Sequence, residues 1–276
     1  MNPLFEQLQK KTNFYYPFLL LPPAQRQALE TLYRFCWAAD EISDGSGSPA
    51  EKRRKLFRFK QNLKAAFQGR AQDPLFQKLQ GLIPTFSLSR EPLERILKGV
   101  ERDLRPIRFK KFEELRGYAL QVAGGPGLAS MEIFGFQDKT HRAYAENLGV
   151  FLQLVNIVRD FKEDRDMGRQ YLPAEDFKRF KLNPFSIEGK NADWKYFVEF
   201  QLKRAYSFLE KSRASLSLRE RKQLPTAEAI AAVYLRLFGK LWKNPGRILK
   251  ERITLPKWER LYAVGTSFLS LKTGRG

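Results

Sequence analysis

Two pairs of aspartates share one spacing in this sequence. Asp40 and Asp44 bound the segment DEISD, and Asp160 and Asp164 recur in NIVRDFKED. Aspartates scattered at random over the 276 positions give only roughly 0.4 such pairs, so two pairs justify a motif hypothesis. Carboxylates at this spacing can hold Mg²⁺, which prefers oxygen ligands, keeps several waters and takes further oxygens from phosphates. The pattern favours a cation site for a phosphorylated ligand, and a solvated acidic face is the alternative.

Other side chains share the helix faces of the two aspartate pairs. At about 100° per residue, Tyr33 and Trp37 lie within roughly 60° of the first pair on one stripe. Gln153 and Asn156 belong to the stripe of the second pair, which spans about 80°. Arginines such as Arg169 stand close by in sequence. Two facing helices with these stripes could clamp a diphosphate through bridging Mg²⁺, with arginines neutralising the remaining charge.

The elements that position these residues have helical periodicity almost throughout. Amphipathic helices are predicted over residues 24–43, 51–68, 93–104, 112–123, 143–164, 194–212 and 227–242. Glycine and proline breaks are expected between them, at 80–84, 135–139, 183–193 and 243–247. No strand pairs, tandem repeats or low-complexity linkers interrupt the pattern. The sequence predicts one all-α domain over residues 1–276.

The glycine-rich segment VAGGPG, residues 122–127, is poorly suited to a helix interior. A phosphate-binding loop there would need a preceding strand and a following Lys-Ser/Thr pair, and neither is present. The segment therefore predicts a helix kink that leaves room for a ligand. A strand–GxGxxG–helix unit is also missing, so no Rossmann-type nicotinamide site is predicted.

Composition and cysteine usage limit the class of protein. Hydrophobic residues make up 43% and aromatic residues 13%, which is typical of a folded globular chain. No apolar run approaches the length of a membrane span. Cys36 is the single cysteine, which excludes an internal disulfide and fits the cytoplasm. His141 is the single histidine, expected at the surface or in a helix cap, so a histidine-based triad or zinc site is excluded.

The formal net charge of +20 is concentrated near the C-terminus, where residues 201–276 hold 17 Lys or Arg against 5 Asp or Glu. Such surfaces attract nucleic acids, anionic lipid headgroups or diphosphates alike. No zinc-finger, RNP or basic-zipper pattern accompanies the charge, so only weak non-specific nucleic-acid binding is expected. Peripheral contact with the inner face of an anionic membrane is one expectation, and a merely soluble basic surface is the other.

These residues and their order resemble the squalene/phytoene synthase family, the head-to-head prenyl diphosphate synthases. The resemblance covers nearly the whole chain. FYYPFLLLPPAQRQALETLYRFCWAADEISD resembles the family's block ending in the first aspartate motif, and VAGGPGLASMEIFG resembles its central helix. LGVFLQLVNIVRDFKEDRDMGRQYLP resembles the second motif, and AAVYLRLF resembles the closing helix. The FYY…LLPP block and the compact length most resemble those of the bacterial presqualene diphosphate and dehydrosqualene synthases.

The resemblance implies an isoprenoid-synthase-type helical bundle with a central cavity, and it assigns roles to individual residues. Diphosphate binding through Mg²⁺, or Mn²⁺ in its place, is implied for Asp40, Asp44, Asn156, Asp160 and Asp164. The resemblance also implies diphosphate contacts for Arg159, Arg169 and Tyr171, and a polar substrate-binding position for Gln153. It implies prenyl-chain contacts for Phe14 and Phe18, and a catalytic role for Tyr33.

The implied reaction joins two prenyl diphosphates through an allylic carbocation and a cyclopropyl intermediate. Farnesyl diphosphate is the expected substrate, and geranylgeranyl diphosphate is the alternative. NADPH use stays open. Three departures from the family pattern, namely Trp37, Leu120 and Gly246 where other residues are usual, leave open early termination or capture by water. A non-catalytic lipid-binding or assembly relative is the remaining alternative.

Overall fold

The computed structural model describes residues 13–186 and 191–273, and within them the only extended pairing is an isolated bridge between Arg108 and Gln170. The remaining regular structure is helical. The α-helices, in chain order, are α1 (Tyr15–Phe18), α2 (Pro23–Asp44), α3 (Pro49–Phe67), α4 (Pro74–Phe86), α5 (Arg90–Asp103), α6 (Phe112–Ala119), α7 (Gly125–Phe134), α8 (Lys139–Arg159), α9 (Phe161–Asp166), α10 (Ala174–Arg179), α11 (Asn191–Ala214), α12 (Leu218–Arg221), α13 (Pro225–Lys243) and α14 (Lys257–Thr273).

The predicted all-α fold is confirmed, with differences at particular segments. Residues 80–84 were expected to break a helix but lie inside α4, where Asp73 caps the start and Pro84 falls in the last turn. Helix α14 was not predicted at all. The expected break at 183–193 is described only in part, because residues 187–190 lie outside the described ranges.

Helix starts follow local capping chemistry. Ser48 and Glu51 form a reciprocal capping box at α3, and Asp138 accepts from the backbone of Thr140 and His141 at α8. These side chains satisfy N–H groups that have no partner within the helix. His141 is buried, with Nδ1 2.7 Å from Asp138 Oδ2. Of the two expected positions, the surface or a helix cap, the structure supports the cap.

Helix α8 lies at the centre of the molecule and packs against α7, α11 and α13. Buried apolar residues cover most of its circumference, among them Leu148, Phe151 and Val155. This distribution is that of a helix surrounded by others. One apolar cluster forms around α8, and a second joins α2 to α5. Gln153 and Asn156 are half-buried polar residues in the C-terminal half of this central helix.

The segment around VAGGPG forms a π-helical turn, Leu120–Gly124, that continues into α7. Gly149 of α8 lies so close to it that a Cβ there would stand 2.8 Å from the carbonyl of Ala123. The α-helix is thus interrupted by a π-helical turn, and the glycines allow two backbones to approach closely. The predicted kink with room for a ligand stays a prediction.

Among the described helices, none is both long enough and apolar enough to cross a bilayer.

Candidate active site

The first aspartate pair lies on the last turns of α2. Asp40 and Asp44 are exposed, and Tyr33 is half-buried on the same stripe. On the opposite side Phe35 and Ala39 are completely buried. Burial therefore follows the predicted amphipathic division, with the apolar side of α2 in the core and the acidic stripe facing outward from it.

The second pair spans the junction of α8 and α9. The expectation of one unbroken helix over 143–164 is wrong, because Asp160 leaves the helical dihedral range with φ −92° and ψ 8°. Backbone bonds nevertheless continue through the junction, with the Asp160 N–H donating to Asn156 at 2.8 Å and the Asp164 N–H donating to Asp160 at 2.9 Å. The junction keeps Asn156, Asp160 and Asp164 on consecutive turns.

Arg169 connects the two motifs. Its guanidinium Nη2 donates to Asp44 Oδ1 at 2.7 Å, across 125 positions of sequence. Its backbone N–H donates to the carbonyl of Asp164 at 2.8 Å. The structure thus brings together the first motif and the loop behind the second. An arginine between two acidic motifs is placed to exchange a carboxylate for a phosphate.

Asp103, at the end of α5, is a site residue that the sequence analysis missed. Its Oδ2 accepts from the Tyr118 hydroxyl at 3.1 Å, whereas its Oδ1 is buried without a hydrogen-bond partner among the described residues. The signal was present, because Asp103 continues the apolar stripe of Ile96 and Val100 on an amphipathic helix. A carboxylate on a buried stripe requires a partner or a cation.

Three carboxyl groups of this cluster resist ionisation. Although the Asp40 side chain reaches solvent, the surrounding protein restricts the hydration of its carboxyl group. This loss of hydration, followed by the charges of Asp103 and Asp44, raises the pKa of Asp40 to about 7. Burial also raises the pKa of Asp103 to about 7, opposed by the Tyr118 hydrogen bond and supported by Asp44. The pKa of Asp164 rises to about 7 through burial and the neighbouring Asp160. A cation bound among closely spaced, poorly hydrated carboxylates would stabilise their ionised form.

Asp160 is neutralised by two arginines. Arg159 donates to both of its oxygens, at 2.7 and 2.5 Å, and Arg252 Nε lies 2.8 Å from Oδ1. Arg252 also approaches Glu163, at 3.6 Å. It lies on the segment between α13 and α14, and sequence analysis gave no signal for it. Asp160 is therefore paired with one arginine from the end of α8 and one from the segment between α13 and α14.

Aromatic rings flank the acidic cluster. The ring of Tyr171 lies 5.6 Å from that of Tyr118, and burial raises the pKa of both phenols. Burial, then Cys36 and Asp40, raise the pKa of Tyr33 to about 12, with Tyr234 contributing further. Tyr234 was not predicted as a site residue and is buried on α13.

The two phenylalanines expected to line a prenyl pocket lie together. Phe14 stacks on Phe18 at 6.2 Å and lies 6.2 Å from Tyr234. Phe14 packs against both apolar clusters. Their contact with a substrate chain stays a prediction, as do the individual roles of the other site residues.

The positions that depart from the family pattern occupy different surroundings. Trp37 is 48% exposed on the acidic stripe of α2. Leu120 begins the π-helical turn and packs against the cluster around α8. Gly246 is exposed in the 3₁₀ helix Pro245–Leu249 that follows α13.

The donor set fits a hard divalent cation. Within residues 13–186 and 191–273, no three His, Cys, Asp or Glu side chains are placed to hold a metal ion by themselves. A cation bound here would need further oxygens, such as those of phosphates or water. Two buried oxygens, Asn156 Oδ1 and Asp103 Oδ1, have no partner in that part of the chain. Carboxylate and amide oxygens with incomplete coordination are typical of Mg²⁺ sites that bind substrate phosphates.

Fold and site together define an all-α protein with two aspartate motifs joined by an arginine. The squalene/phytoene synthase family model matches residues 8–259. The phytoene synthase of an Oncidium hybrid cultivar is 30% identical over 264 residues, which cover 92% of this chain and 64% of that protein. The 15-cis-phytoene synthase of Synechococcus elongatus is 28% identical, covering 93% of this chain and 88% of that one.

A solved dehydrosqualene synthase superposes with a TM-score of 0.81 at 21% identity, covering 98% of this chain and 95% of that one. The chain spans less than two thirds of the Oncidium protein. On the extent of the family match, this chain belongs to the squalene/phytoene synthase family.

Proposed function

We propose that the protein catalyses Mg²⁺-dependent head-to-head condensation of two prenyl diphosphates. The observation that carries the proposal is the Arg169–Asp44 ion pair, which joins two acidic motifs around carboxyls of raised pKa. A cluster of this composition suits a metal diphosphate, whose cations neutralise the carboxylates and whose phosphate oxygens pair with arginine. Family membership supports the same reaction type.

The residues that would hold Mg²⁺ are Asp40, Asp44, Asn156, Asp160 and Asp164, joined by Asp103. The bound metal would neutralise the diphosphate leaving group as the allylic C–O bond breaks. Because Asp44 and Asp160 already pair with arginines, diphosphate binding requires Arg169 and Arg252 to exchange carboxylate partners for phosphate ones. Arg159 and Tyr171 would orient the same group.

The aromatic and apolar side chains act on the other end of the substrate. Phe14, Phe18 and Tyr33 would line the pocket around the prenyl chain and exclude water from it. Their ring faces would stabilise the carbocation. Water exclusion matters because water competes with the double bond of the second substrate for the cation. The departures from the family pattern at Trp37, Leu120 and Gly246 concern the steps after the first bond forms. They leave open whether the reaction stops early or ends by capture of water.

Farnesyl diphosphate is the first candidate substrate, giving a C30 product. Geranylgeranyl diphosphate is the second, because curated relatives at 28–30% identity are named phytoene synthases. The test incubates purified protein with each diphosphate and Mg²⁺, with and without NADPH, and analyses the extract by mass spectrometry after phosphatase treatment. Omission of Mg²⁺ in the presence of EDTA should abolish product.

Asp160→Asn is expected to reduce product formation at least about a hundredfold, since it removes a charge that positions the metal diphosphate. Asp166→Asn is the matched control, because Asp166 is exposed on α9 and pairs only with Lys162 and Arg165 in the described structure. A C30 or C40 product lost in the first variant and kept in the second supports the proposal. Absence of product from both substrates, with folded protein, would favour a non-catalytic relative.

A further inference from the structure

Helix α14 has an exposed apolar stripe that neither the fold nor the proposed reaction uses. Five large side chains point outward from it, each between 40% and 62% exposed: Trp258, Leu261, Tyr262, Phe268 and Leu269. Their spacing places them on one side of the helix, within roughly 120° of one another. Single exposed apolar residues are ordinary, whereas a contiguous row along one helix marks an interaction surface.

The opposite face of α14 fixes the direction of this stripe. Ala263, Val264 and Leu271 are buried against the bundle. Glu259 is also buried, with its carboxylate 3.1 Å from Arg236 Nε and 2.6 Å from Lys240 Nζ on α13. Rolling the helix to hide the stripe would break this ion-pair cluster and expose its apolar contacts. The apolar row therefore faces solvent as a consequence of packing.

The charges around the stripe are cationic. Lys272 Nζ lies 4.6 Å from the ring centre of Phe268, and the Arg236 guanidinium lies 5.7 Å from that of Tyr262. Lys257 is exposed beside Trp258. Glu259 is the one acidic residue of α14, and its charge is already neutralised inside the protein. Aromatic rings accompanied by lysine or arginine suit the boundary between lipid headgroups and acyl chains.

We propose that the stripe Trp258–Leu261–Tyr262–Phe268–Leu269 docks the protein on an anionic phospholipid surface. The apolar side chains would enter the boundary region, and the exposed Lys257 and Lys272 would contact anionic headgroups. A second copy of the chain fits less well, because pairing two such surfaces brings like charges together in a protein of net charge +20. A bilayer supplies the opposite charge and an apolar layer at once.

The test is flotation of the purified protein with vesicles of phosphatidylcholine alone or with about one third phosphatidylglycerol. Binding is expected to the anionic vesicles and to weaken at high salt, since headgroup attraction is screened. The double variant Leu261→Glu with Leu269→Glu should raise the lipid concentration for half-binding at least about tenfold. Phe57→Glu is the matched control, because Phe57 is 61% exposed on α3, away from the stripe, and should bind as the parent does.

Far-UV circular dichroism and thermal melting establish that both variants are folded. Equal binding by the double variant would overturn the assignment of this surface, and absence of binding to anionic vesicles would overturn the membrane partner. Light scattering after size-exclusion chromatography tests whether the stripe instead pairs two copies of the chain. A dimer that the double variant abolishes, with no vesicle binding, would assign the stripe to a second copy instead.

Discussion

At the scale of single residues, the candidate active site is a group of acids whose charges are only partly compensated. Arginines already satisfy Asp44 and Asp160. Asp40, Asp103 and Asp164 have pKa values raised to about 7, first by loss of hydration and then by neighbouring carboxylates such as Asp44 and Asp160. The group is therefore organised for a ligand that carries both cations and phosphate oxygens.

Asp103→Asn tests whether the additional carboxylate belongs to this group. Removing its charge while keeping its shape should weaken Mg²⁺-diphosphate binding and lower kcat/KM about tenfold or more, which corresponds to about 1.4 kcal/mol. The measurements are the Mg²⁺ dependence of the rate and calorimetric titration with Mg²⁺ and diphosphate.

Glu101→Gln is the control for Asp103→Asn, since Glu101 is exposed on the same helix and pairs with Lys60 at 2.8 Å. Surface pairs of this kind contribute little. If both variants retained the parent's Mg²⁺ dependence, Asp103 would be a packing residue held by Tyr118.

At the scale of elements, the site depends on how closely α8 approaches the π-helical turn before α7. A Cβ on Gly149 would meet the backbone of Ala123 at 2.8 Å and of Gly124 at 2.9 Å. Backbone atoms cannot rotate away as a side chain can. This contact therefore fixes the position of α8, which carries Gln153, Asn156 and the start of the second motif.

Gly149→Ala should destabilise the protein by about 1–3 kcal/mol, the usual cost of overpacking, despite alanine's better helix propensity. Gly239→Ala is the matched control, since Gly239 is also in a helix but has nothing within 4 Å of an added Cβ. That change should be neutral or stabilise by about 0.5–1 kcal/mol. Urea unfolding measures both, and an unchanged midpoint for Gly149→Ala would contradict the close approach.

At the scale of the whole molecule, two apolar clusters share their boundary. Phe14, Phe134 and Ile230 pack against both of them. Shared residues couple the unfolding of one cluster to that of the other. The single-domain organisation predicted for residues 1–276 is thereby given a physical basis that can be measured.

Urea unfolding should show one transition, coincident by far-UV circular dichroism and by fluorescence, to which buried Trp194 contributes. Leu93→Ala in the second cluster and Leu202→Ala in the first should each lower the free energy of unfolding by about 2–5 kcal/mol. Both variants should therefore shift the midpoint of that same transition to lower urea concentration. Two separable transitions, each sensitive to one variant, would instead indicate two independently folding units.

The sequence by itself determined the helical class and the two aspartate motifs of the site, but not Asp103, Arg252 or Tyr234. Periodicity identifies a helix from a local pattern, and the i, i+4 spacing of Asp40 with Asp44 is likewise local. The order of motifs along the chain was sufficient to indicate the family. Helix α14 escaped detection because its large apolar residues lie on the exposed side, so its pattern does not indicate packing.

Only the tertiary structure decided which of these residues meet. Arg169 and Asp44 pair although they are 125 positions apart in sequence. Arg252 lies close to Asp160 although helices α9 to α13 separate them along the chain. Such contacts depend on helix packing and on the break at Asp160, which no local pattern specifies. The raised pKa values of Asp40, Asp103 and Asp164 follow from the same cause, because burial and like charge are properties of the assembled cluster.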